Sequence, residues 1–261
     1  MQIPFYKMDG AGNDFVVIDN RTLGVRLTRE QVAAMCHRRL GIGADGLMTI
    51  EAAADGFDFE MRYHNSDGNL ASMCGNGGRC IALLAHRLGM GRELRFRAFD
   101  GAHTARIVSW DDEARVGLVS LSMRSVERQG VRKVEGGWTI DTGSPHFVLH
   151  VEGLEGLDVA AEGRRWRNRA DLFPEGTNVD FIEPLPDGRL AVRTYERGVE
   201  DETWACGTGV TACALVTGNR RIAMRGGDFA VSFEPTDTEY KDVVLTGPVA
   251  LNFTGEWTIN Q

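Results

Sequence analysis

Met73-Cys74-Gly75-Asn76-Gly77 and Ala205-Cys206-Gly207-Thr208-Gly209 carry the same Cys-Gly-x-Gly pattern, and their cysteines are 132 residues apart. The same offset places the apolar run that begins at Phe15 on the run that begins at Phe147. A repeated architecture changes every later inference about sites, so such a register matters more than any single motif. Two further pairs share the offset: Glu51 with Glu183, and Tyr63 with Tyr195. Four segments in one register predict an internal duplication.

The duplication predicts two equivalent domains, because 132 is close to half of the 261 residues. Domains of about 130 residues lie within the usual size range, and we expect a pseudo-twofold axis to relate them. We place the first domain at residues 1–113, completed by 248–261, and the second at 114–247. The active site is then expected in the cleft between the two domains.

Local patterns predict an α+β fold in each half. Thr28-Arg-Glu-Gln31 is a capping box that opens a helix running towards Leu40. Apolar spacing predicts a helix over about 77–88 and a counterpart over about 209–216, each followed within two residues by a glycine. Alternating runs that predict strands lie at 94–99, 116–121 and 190–195. Because strands outnumber helices, we expect each half to be a curved, mainly antiparallel sheet wrapped on a central helix.

The composition is that of an ordinary globular chain, with 43% apolar and 25% charged residues. The net charge of −8 disfavours nucleic acid or an anionic membrane as a partner, so we expect a small-molecule partner. No apolar run approaches the ~18 residues of a membrane span, and the N-terminus lacks the layout of a signal peptide. We therefore expect a cytoplasmic protein.

Three patterns that suggest other functions are interpreted structurally. The segment Gly41-Ile-Gly-Ala-Asp-Gly46 matches G-x-G-x-x-G, but it follows a helix and precedes a strand, the reverse of the dinucleotide-binding order. The basic cluster Arg164-Arg-Trp-Arg-Asn-Arg169 is interpreted as a solvated charged face in an acidic protein. No pair of the five cysteines has the C-x2-C spacing of a zinc site, so we predict reduced thiols and no metal.

Chemistry is predicted at Cys74 and Cys206, because each stands just before a predicted helix in a glycine-rich turn. A helix N-terminus favours thiolate over thiol and so depresses a cysteine pKa. The backbone N–H groups of the turn can also bind a carboxylate. If the halves pack face to face, a substrate carbon between the two thiols meets one base and one acid. The remaining thiols, Cys36, Cys80 and Cys213, fall within predicted helices and are interpreted as buried and inert.

Seven segments together form a more specific set than a lone Cys-Gly-x-Gly. They are Phe5–Phe15 (FYKMDGAGNDF), Gly41–Gly46 (GIGADG), Met61–Gly68 (MRYHNSDG), Met73–Gly77 (MCGNG), Gly143–His146 (GSPH), Gly176–Val179 (GTNV), and Glu196–Glu200 (ERGVE) running into Ala205–Gly209 (ACGTG). In these segments the chain resembles the diaminopimelate epimerases, a family of racemases that use no pyridoxal phosphate. The resemblance covers most of the chain in order and implies that family's fold, no cofactor and a homodimer.

The resemblance implies the catalytic groups and the reaction. Cys74 and Cys206 match the two family cysteines, each of which takes the α-proton from one enantiomer while the other protonates the opposite face. His146 and Glu196 match residues beside the catalytic thiols. The implied reaction converts LL-2,6-diaminopimelate to meso-diaminopimelate and serves the synthesis of lysine and peptidoglycan precursors.

The resemblance also implies the groups that bind the amino-acid substrate. The backbone donors to the reacting carboxylate match Gly75, Asn76, Gly207 and Thr208. Asn13 matches an asparagine near the reacting ammonium group. The groups that hold the distal, unreacting end match Asn65, Asn178, Glu196 and Arg197. Of these, Arg197 would pair with a carboxylate.

The chain departs from the family pattern at two positions, and the sequence leaves several other functions to be considered. Some members have asparagine where this chain has Ser144 and glutamine where it has Gly46, so contacts around the reacting amino group can differ. On the same fold, the alternatives are a histidine or proline racemase and an isomerase that has lost one thiol, against which the two cysteines argue.

Two alternatives come from different classes of protein. A non-catalytic amino-acid binding protein would not need paired thiols at helix starts. A dithiol redox protein would keep its cysteines close in sequence. For Arg197, the structural alternative to a substrate contact is an ion pair with Glu200 or Glu202.

Overall fold

The computed structural model describes residues 1–71 and 73–259. Within them the chain divides into two units. The first contains Met1–Leu121 and the described part of 248–261, and the second contains Ser122–Gly247. Strands outnumber helices in both units, which confirms the expected α+β class.

In its described residues the first unit contains seven strands, part of an eighth and two helices. Its elements are β1 (Gln2–Gly10), β2 (Asn13–Asp19), α1 (Arg29–Cys36), β3 (Gly46–Glu51), β4 (Phe59–Asn65), α2 (Gly75–Ala85), β5 (Glu93–Ala98), β6 (Gly101–Asp111), β7 (Val116–Ser122) and residues 248–258 of the last strand, β17 (Glu239–Thr258).

The strands of the first unit form a closed barrel around α2. They pair in the order β1–β2–β3–β4–β5–β6–β7–β17, and β17 pairs with β1. The contacts β2–β3 and β4–β5 are parallel. All the residues of α2 are buried, and the helix contacts β1, β2, β3 and β6. A helix buried on every side is the central helix that the sequence predicts.

The second unit repeats this plan. Its elements are β8 (Val126–Glu127), β9 (Arg132–Val134), β10 (Gly137–Asp141), β11 (Pro145–His150), α3 (Val159–Arg167), β12 (Asn178–Pro184), β13 (Leu190–Glu196), β14 (Asp201–Thr203), α4 (Gly207–Thr217), β15 (Arg221–Met224), β16 (Gly227–Pro235) and residues 239–247 of β17. Short non-α turns lie at His86–Met90, Arg128–Gly130 and Leu154–Gly156.

The order and sense of strand pairing confirm the duplication. From β10 the sheet runs β10–β11–β12–β13–β15–β16–β17, and its parallel contacts are β11–β12 and β13–β15. These occupy the places of β2–β3 and β4–β5 in the first unit. Helices α2 and α4 each have 11 residues and begin at Gly75 and Gly207, which are 132 positions apart. Like α2, α4 is buried along most of its length.

One helix is shorter than expected. The capping box at Thr28 forms as predicted, but α1 ends at Cys36 and does not reach Leu40. The chain turns back there, because the amides of Ile42 and Gly43 donate to the carbonyl of Met35. These bonds satisfy helix carbonyls that a longer helix would have satisfied itself. Leu40 is consequently 82% exposed.

The unit boundary follows strand pairing and differs from the sequence-based boundary after residue 113. Strand β7 pairs with β6 from Val116 to Leu121, so this segment lies with the first unit. A strand joins the sheet that satisfies its backbone hydrogen bonds, and such long-range pairing has no local sequence signal.

The two structural interpretations of suggestive motifs are confirmed. The segment Gly41–Gly46 forms the turn between α1 and β3. In the basic cluster at the end of α3, the arginines pair with surface carboxylates. The pairs are Arg165 with Glu162, Arg167 with Glu200, and Arg169 with Glu135 and Asp171.

Candidate active site

Cys74 occupies the N-cap position of α2, as the sequence predicts. Its backbone is extended, and its carbonyl accepts the first helical hydrogen bond, from Gly78 N at 2.7 Å. The half-buried thiol lies 3.6 Å from Asn13 Oδ1 and donates to it. The first turn of α2 leaves several amides without an intrahelical partner. This end of the helix therefore combines a thiol with a place for negative charge.

Asn13 orients the groups around the first thiol. Its side-chain oxygen also accepts from Asn76 Nδ2 at 3.3 Å, and its side-chain nitrogen donates to Asp45 Oδ2 at 2.7 Å. Because these partners fix which side of the amide is oxygen, an acceptor faces the Cys74 thiol. The turn packs closely on β1, since a Cβ at Gly10 would lie 2.8 Å from Asn76 O.

Cys206 occupies the corresponding N-cap of α4 and is 6% exposed. Its Sγ lies 3.4 Å from Thr208 Oγ1. Thr208 is held at its carbonyl, which accepts from Thr142 Oγ1 at 2.9 Å. The second thiol is therefore more deeply buried than the first and is fixed against a hydroxyl of its own turn.

A buried histidine–aspartate pair lies behind Thr208. His146 Nδ1 is 2.7 Å from Asp180 Oδ2, and His146 Nε2 is 2.9 Å from Thr208 Oγ1. A carboxylate only accepts, so Nδ1 carries the hydrogen, and in the neutral imidazole Nε2 is then the acceptor. The Thr208 hydroxyl then donates to Nε2 and can accept from the Cys206 thiol. A continuous chain of hydrogen bonds links Cys206, Thr208, His146 and Asp180.

Asp180 is a site residue that sequence reasoning missed. Its other oxygen accepts from Thr194 Oγ1 at 2.7 Å, and its side chain is fully buried. A signal was present, because Asp180 is the single charge within the otherwise buried run Asn178–Ile182 of β12. A charge in a buried strand needs a partner. The sequence does not say that the partner is His146.

The electrostatics of Cys206 oppose the prediction from its helix position. Burial raises the pKa of the Cys206 thiol well above its ordinary value, and the nearby charges of Glu196 and Asp180 raise it further. The hydrogen bonds that Cys206 forms with Thr208 and with the backbone of Gly209 lower this pKa, but they do not outweigh burial. The expectation that the helix N-terminus favours a thiolate is therefore wrong for Cys206 in this structure.

The three thiols interpreted as inert are buried. Burial raises the pKa of Cys36 to about 11 and raises the pKa values of Cys80 and Cys213 well above the ordinary thiol value. A thiol that resists ionisation is a poor nucleophile and a poor base. The predicted burial of all three thiols is confirmed.

Asn178 and Arg197 lie together in the second unit. Asn178 Oδ1 accepts from Arg197 N at 2.8 Å, and Asn178 Nδ2 donates to Pro145 O at 3.0 Å and Ser144 Oγ at 3.1 Å. Asn178 thus joins the segment that carries Ser144 and His146 to the end of β13. Its side-chain groups are already used within the protein, which indicates a positioning role.

Arg197 does not form the ion pair that was its structural alternative. In the described residues its guanidinium donates only to the backbone oxygen of Glu175, at 3.2 Å. Glu200 bonds instead to Arg167 and Tyr195, and Glu202 bonds to Arg193 and Arg225. The charge of Arg197 has no carboxylate partner among these residues.

Glu196 and Asn65 end strands that correspond in the two units. Glu196 is the last residue of β13, half-buried, and close enough to Cys206 for its charge to raise the pKa of that thiol. Asn65 is the last residue of β4 and is exposed. The structure thus groups Asn13, Asn76 and the Cys74–Gly75 turn in the first unit. In the second unit it groups His146, Asn178, Glu196, Arg197 and the turn Cys206–Thr208.

Ser144 and Gly46, the two departures from the family pattern, have local structural explanations. Ser144 Oγ lies 3.0 Å from His146 Nε2 and 3.2 Å from Thr208 Oγ1. A Cβ at Gly46 would lie 2.5 Å from the ring of Tyr63. Ser144 therefore belongs to the His146 cluster, and Gly46 permits the close approach of Tyr63.

A comparison with protein families decides the assignment. The family described as diaminopimelate epimerase matches residues 5–119 and 138–251, one segment for each repeat. The chain belongs to the diaminopimelate epimerase family. It is therefore an amino-acid epimerase of the isomerase class.

Curated relatives agree with this assignment. Diaminopimelate epimerase from Chlorobaculum tepidum is 47% identical over 80% of this chain and 81% of its own length. The enzyme of the same name from Flavobacterium psychrophilum is 39% identical over 95% of this chain and 97% of its own. The one from Aquifex aeolicus is 38% identical over 96% of each chain.

Solved structures with low sequence identity share the fold. A phenazine biosynthesis protein of the PhzF family from Bacillus anthracis superposes with a TM-score of 0.71 at 13% identity, covering 99% of this chain and 100% of its own. A hydroxyproline epimerase from Agrobacterium vitis gives a TM-score of 0.68 at 14% identity, covering 100% and 93%. At these identities the likeness establishes the fold alone.

The described residues contain neither a grouped metal-binding set nor a membrane-spanning helix. No group of three or more His, Cys, Asp or Glu side chains is placed to hold a metal ion in residues 1–71 and 73–259. In the same ranges, no helix is long and apolar enough to cross a membrane.

Proposed function

We propose that this epimerase converts LL-2,6-diaminopimelate to meso-diaminopimelate with Cys74 and Cys206 as its two acid–base groups. The observation that carries the proposal is the equivalence of the two thiols. Each is the N-cap of the central helix of its unit, at the same place in a duplicated topology. Inversion at a carbon needs one group on each face, and a duplicated fold supplies two such groups.

The proposed reaction balances without an added reagent. The thiolate of one cysteine takes the α-proton and becomes a thiol, while the other thiol gives its proton to the opposite face and becomes a thiolate. The pair is then set for the reverse direction. We place both thiols at one cleft between the two domains, as equal access to the two faces of one carbon requires.

A thiolate alone is too weak a base for this reaction, because an amino-acid α-proton is far less acidic than a thiol of pKa ~8.5. The substrate carboxylate must take up charge as the proton leaves. We assign its stabilisation to the backbone amides of Gly75, Asn76, Gly207 and Thr208, at the N-termini of the two helices. These amides would donate to the carboxylate oxygens on which enolate-like charge develops.

The remaining residues hold the substrate and the thiols. Asn13 would meet the reacting ammonium group with its side-chain oxygen. Asn65, Glu196 and Arg197 would hold the distal amino-acid end, and Arg197 has a guanidinium available for a carboxylate. Asn178 would act by fixing the backbone of Arg197. His146 would act on Cys206 through Thr208.

The wider setting is also part of the proposal. We expect a cytoplasmic homodimer that needs no cofactor and takes a small amino-acid substrate. Its product serves lysine biosynthesis, as the name of the family implies, and the synthesis of peptidoglycan precursors. Gel filtration with light scattering tests the dimer. Activity after extensive dialysis against a chelator tests independence of a metal ion, and an absorption spectrum of the active protein tests for a bound organic cofactor.

Two single substitutions test the thiol pair. We expect Cys74→Ala and Cys206→Ala each to abolish conversion of LL-diaminopimelate, measured by chiral chromatography. Cys36→Ala, which removes a buried thiol at the end of α1, is the matched control and should keep activity. In deuterated water, wild-type enzyme should place label mainly in the product epimer. Substantial turnover by either alanine variant would reject the two-thiol assignment.

A further inference from the structure

Arg79 is a buried charge beside the first thiol. It lies in the first turns of α2, and its side chain is 0% exposed, the largest fully buried side chain of the described residues. A guanidinium is costly to remove from water and stays charged in proteins. A charge that is so costly to bury indicates a specific role for Arg79, and the reaction proposed above does not use this residue.

The contacts of Arg79 lead directly to Cys74. Its Nη1 donates to Gly75 O at 3.2 Å, and its Nη2 donates to Asn76 Oδ1 at 2.9 Å. Asn76 Nδ2 donates in turn to Asn13 Oδ1, the atom that accepts from the Cys74 thiol. The guanidinium therefore holds both residues that follow Cys74. Through Asn76 it also fixes the side chain of Asn13, whose oxygen accepts from the Cys74 thiol. That acceptor by itself favours the protonated thiol, and the positive charge of Arg79 opposes it.

The second repeat has no cation at this place. The position 132 residues after Arg79 is Thr211, whose hydroxyl donates to Gly207 O at 2.9 Å. Gly207 is the counterpart of Gly75, so Thr211 makes the neutral version of one Arg79 contact. The charges that act on the thiol of this repeat, Cys206, are the carboxylates of Glu196 and Asp180.

The two thiols therefore lie in fields of opposite sign. The charge of Arg79 interacts with the thiols of Cys74 and Cys80, and burial lowers the pKa of Arg79 to about 10, which leaves it a cation at neutral pH. Cys80 resists ionisation because it is fully buried. Cys74, in contrast to Cys80, is only half-buried.

Other titratable groups lie on and beside the strands that pack on α2. On β1 they are Asp9, which accepts from Gly12 N and Asn252, and Lys7. On β2 and before β3 they are Asp14 and Asp45. Lys7 and Arg38 pair with Asp14, and Arg38 also pairs with Asp45. The negative charges of Asp14 and Asp45 are therefore largely balanced by these two cations.

We infer that Arg79 is a positioning residue that holds Cys74 as the thiolate in the resting enzyme, so that Cys74 is the base and Cys206 the acid before substrate binds. This inference rests on the proposed function of the two thiols. The ligand-free enzyme is then ready for the epimer whose α-hydrogen faces Cys74. It must first exchange protons to accept the other epimer.

The pH dependence of thiol alkylation tests this inference without relying on turnover. Wild-type protein is treated with iodoacetamide from pH 5 to 10, and the Cys74 and Cys206 peptides are quantified separately by mass spectrometry. We expect Cys74 to be alkylated with a lower apparent pKa than Cys206. An equal or reversed order in the wild type overturns the inference, whatever happens to any variant.

Substitutions at position 79 isolate the charge. Arg79→Met should raise the apparent alkylation pKa of Cys74 by at least one unit, which makes the reaction about tenfold slower at pH values below both apparent pKa values. Arg79→Lys, which keeps the charge, should give a smaller shift. Thr211→Val, at the matched position of α4, should leave Cys74 unchanged. A purely structural role for Arg79 would affect Lys and Met variants alike and would lower thermal stability without this ordered shift.

Epimerase activity separates the two proposals. If wild-type protein converts LL-diaminopimelate and Arg79→Met leaves the Cys74 profile unchanged, the inference about Arg79 is wrong and the proposed function stands. If wild-type protein fails to convert LL-diaminopimelate, the proposed function is wrong. The role of Cys74 as the resting base falls with it.

Discussion

At the scale of single residues, Asp180 shows how a buried carboxylate can act on a thiol that it does not touch. Its two oxygens bind His146 and Thr194, and no part of its side chain meets water. It orients the imidazole by accepting from Nδ1, and its charge raises the pKa of Cys206. Both effects favour a neutral Cys206 thiol, which is the form that donates a proton.

We expect Asp180→Asn to lower kcat by at least about tenfold, because an amide can donate to Nδ1 and reverse the tautomer of His146. Loss of the negative charge should also lower the pKa of Cys206 and move its alkylation to lower pH. Thr194→Val removes one hydrogen bond to Asp180 but keeps its charge, so the alkylation profile of Cys206 should stay in place. Wild-type kcat and an unchanged profile in Asp180→Asn would refute the relay.

Arg197 carries the prediction about substrate choice. Arg197→Lys keeps the charge but loses the bidentate fork, so kcat/KM for diaminopimelate should fall by about tenfold or more, a loss of ~1.4 kcal/mol. Amino acids without a distal end should be poor substrates, because they leave the groups at this end unpaired. Parallel assays with LL-diaminopimelate, lysine, histidine and proline measure this. Comparable turnover of lysine, or faster turnover of histidine or proline, contradicts the assignment.

At the scale of elements, the two central helices place the thiols, and glycines set how closely their first turns can pack. A Cβ at Gly209 would lie 2.5 Å from Asp180 Oδ1 and 3.3 Å from His146 Cε1. The absence of a side chain at position 209 therefore allows the His146–Asp180 pair to reach the start of α4. At the other end, Gly218 ends α4 in the left-handed conformation, with φ of +75°.

We expect Gly209→Ala to reduce kcat by tenfold or more, because the new methyl group displaces Asp180 from His146. Gly218→Ala is the control at the other end of the same helix. Its Cβ would meet open space, but its backbone would be strained, so stability should fall by about 1 kcal/mol without a matching loss of kcat. Thermal unfolding and steady-state kinetics of both variants decide between these outcomes. Equal kcat in the two variants would contradict the prediction.

At the scale of the whole molecule, the two ends of the chain depend on each other. Strand β1 pairs with β17 from Gln2 with Thr258 to Asp9 with Ala250. The chain therefore closes the barrel of the first unit only with its last residues. Contacts this distant in sequence are slow to form and are lost together.

Deletion of residues 248–261 should prevent stable folding of the first unit, because it exposes the edges of β1 and β7 and opens the barrel. Soluble expression and near-ultraviolet circular dichroism measure the effect. Glu256→Ala, an exposed substitution in the same strand, should change the midpoint of thermal unfolding by no more than about 2 °C. A truncated protein with cooperative unfolding and wild-type stability would refute this dependence.

The sequence predicted much of this architecture because the relevant signals are local or periodic. The capping box at Thr28 forms as predicted. Helices α2 and α4 begin directly after Cys74 and Cys206, at the two glycine-rich turns. The offset of 132 residues between the two Cys-Gly-x-Gly segments predicted that α2 and α4 are equivalent. The sequence placed the end of α1 too late, and the structural units divide after Leu121 where the sequence suggested residue 113, because both positions depend on where a returning segment finds its hydrogen bonds.

By itself, then, the sequence determined the duplication, the α+β class and the positions of the two thiols at helix starts. The duplication follows from a repeated register of 132 residues, and the other two follow from local patterns. Only the tertiary structure decided that Asp180 meets His146, that Arg79 is buried beside the turn of Cys74, and that the pKa of Cys206 is raised. The physical reason is that burial and electrostatic fields come from residues distant in sequence. The same Cys-Gly-x-Gly pattern can therefore hold two thiols in surroundings of opposite charge.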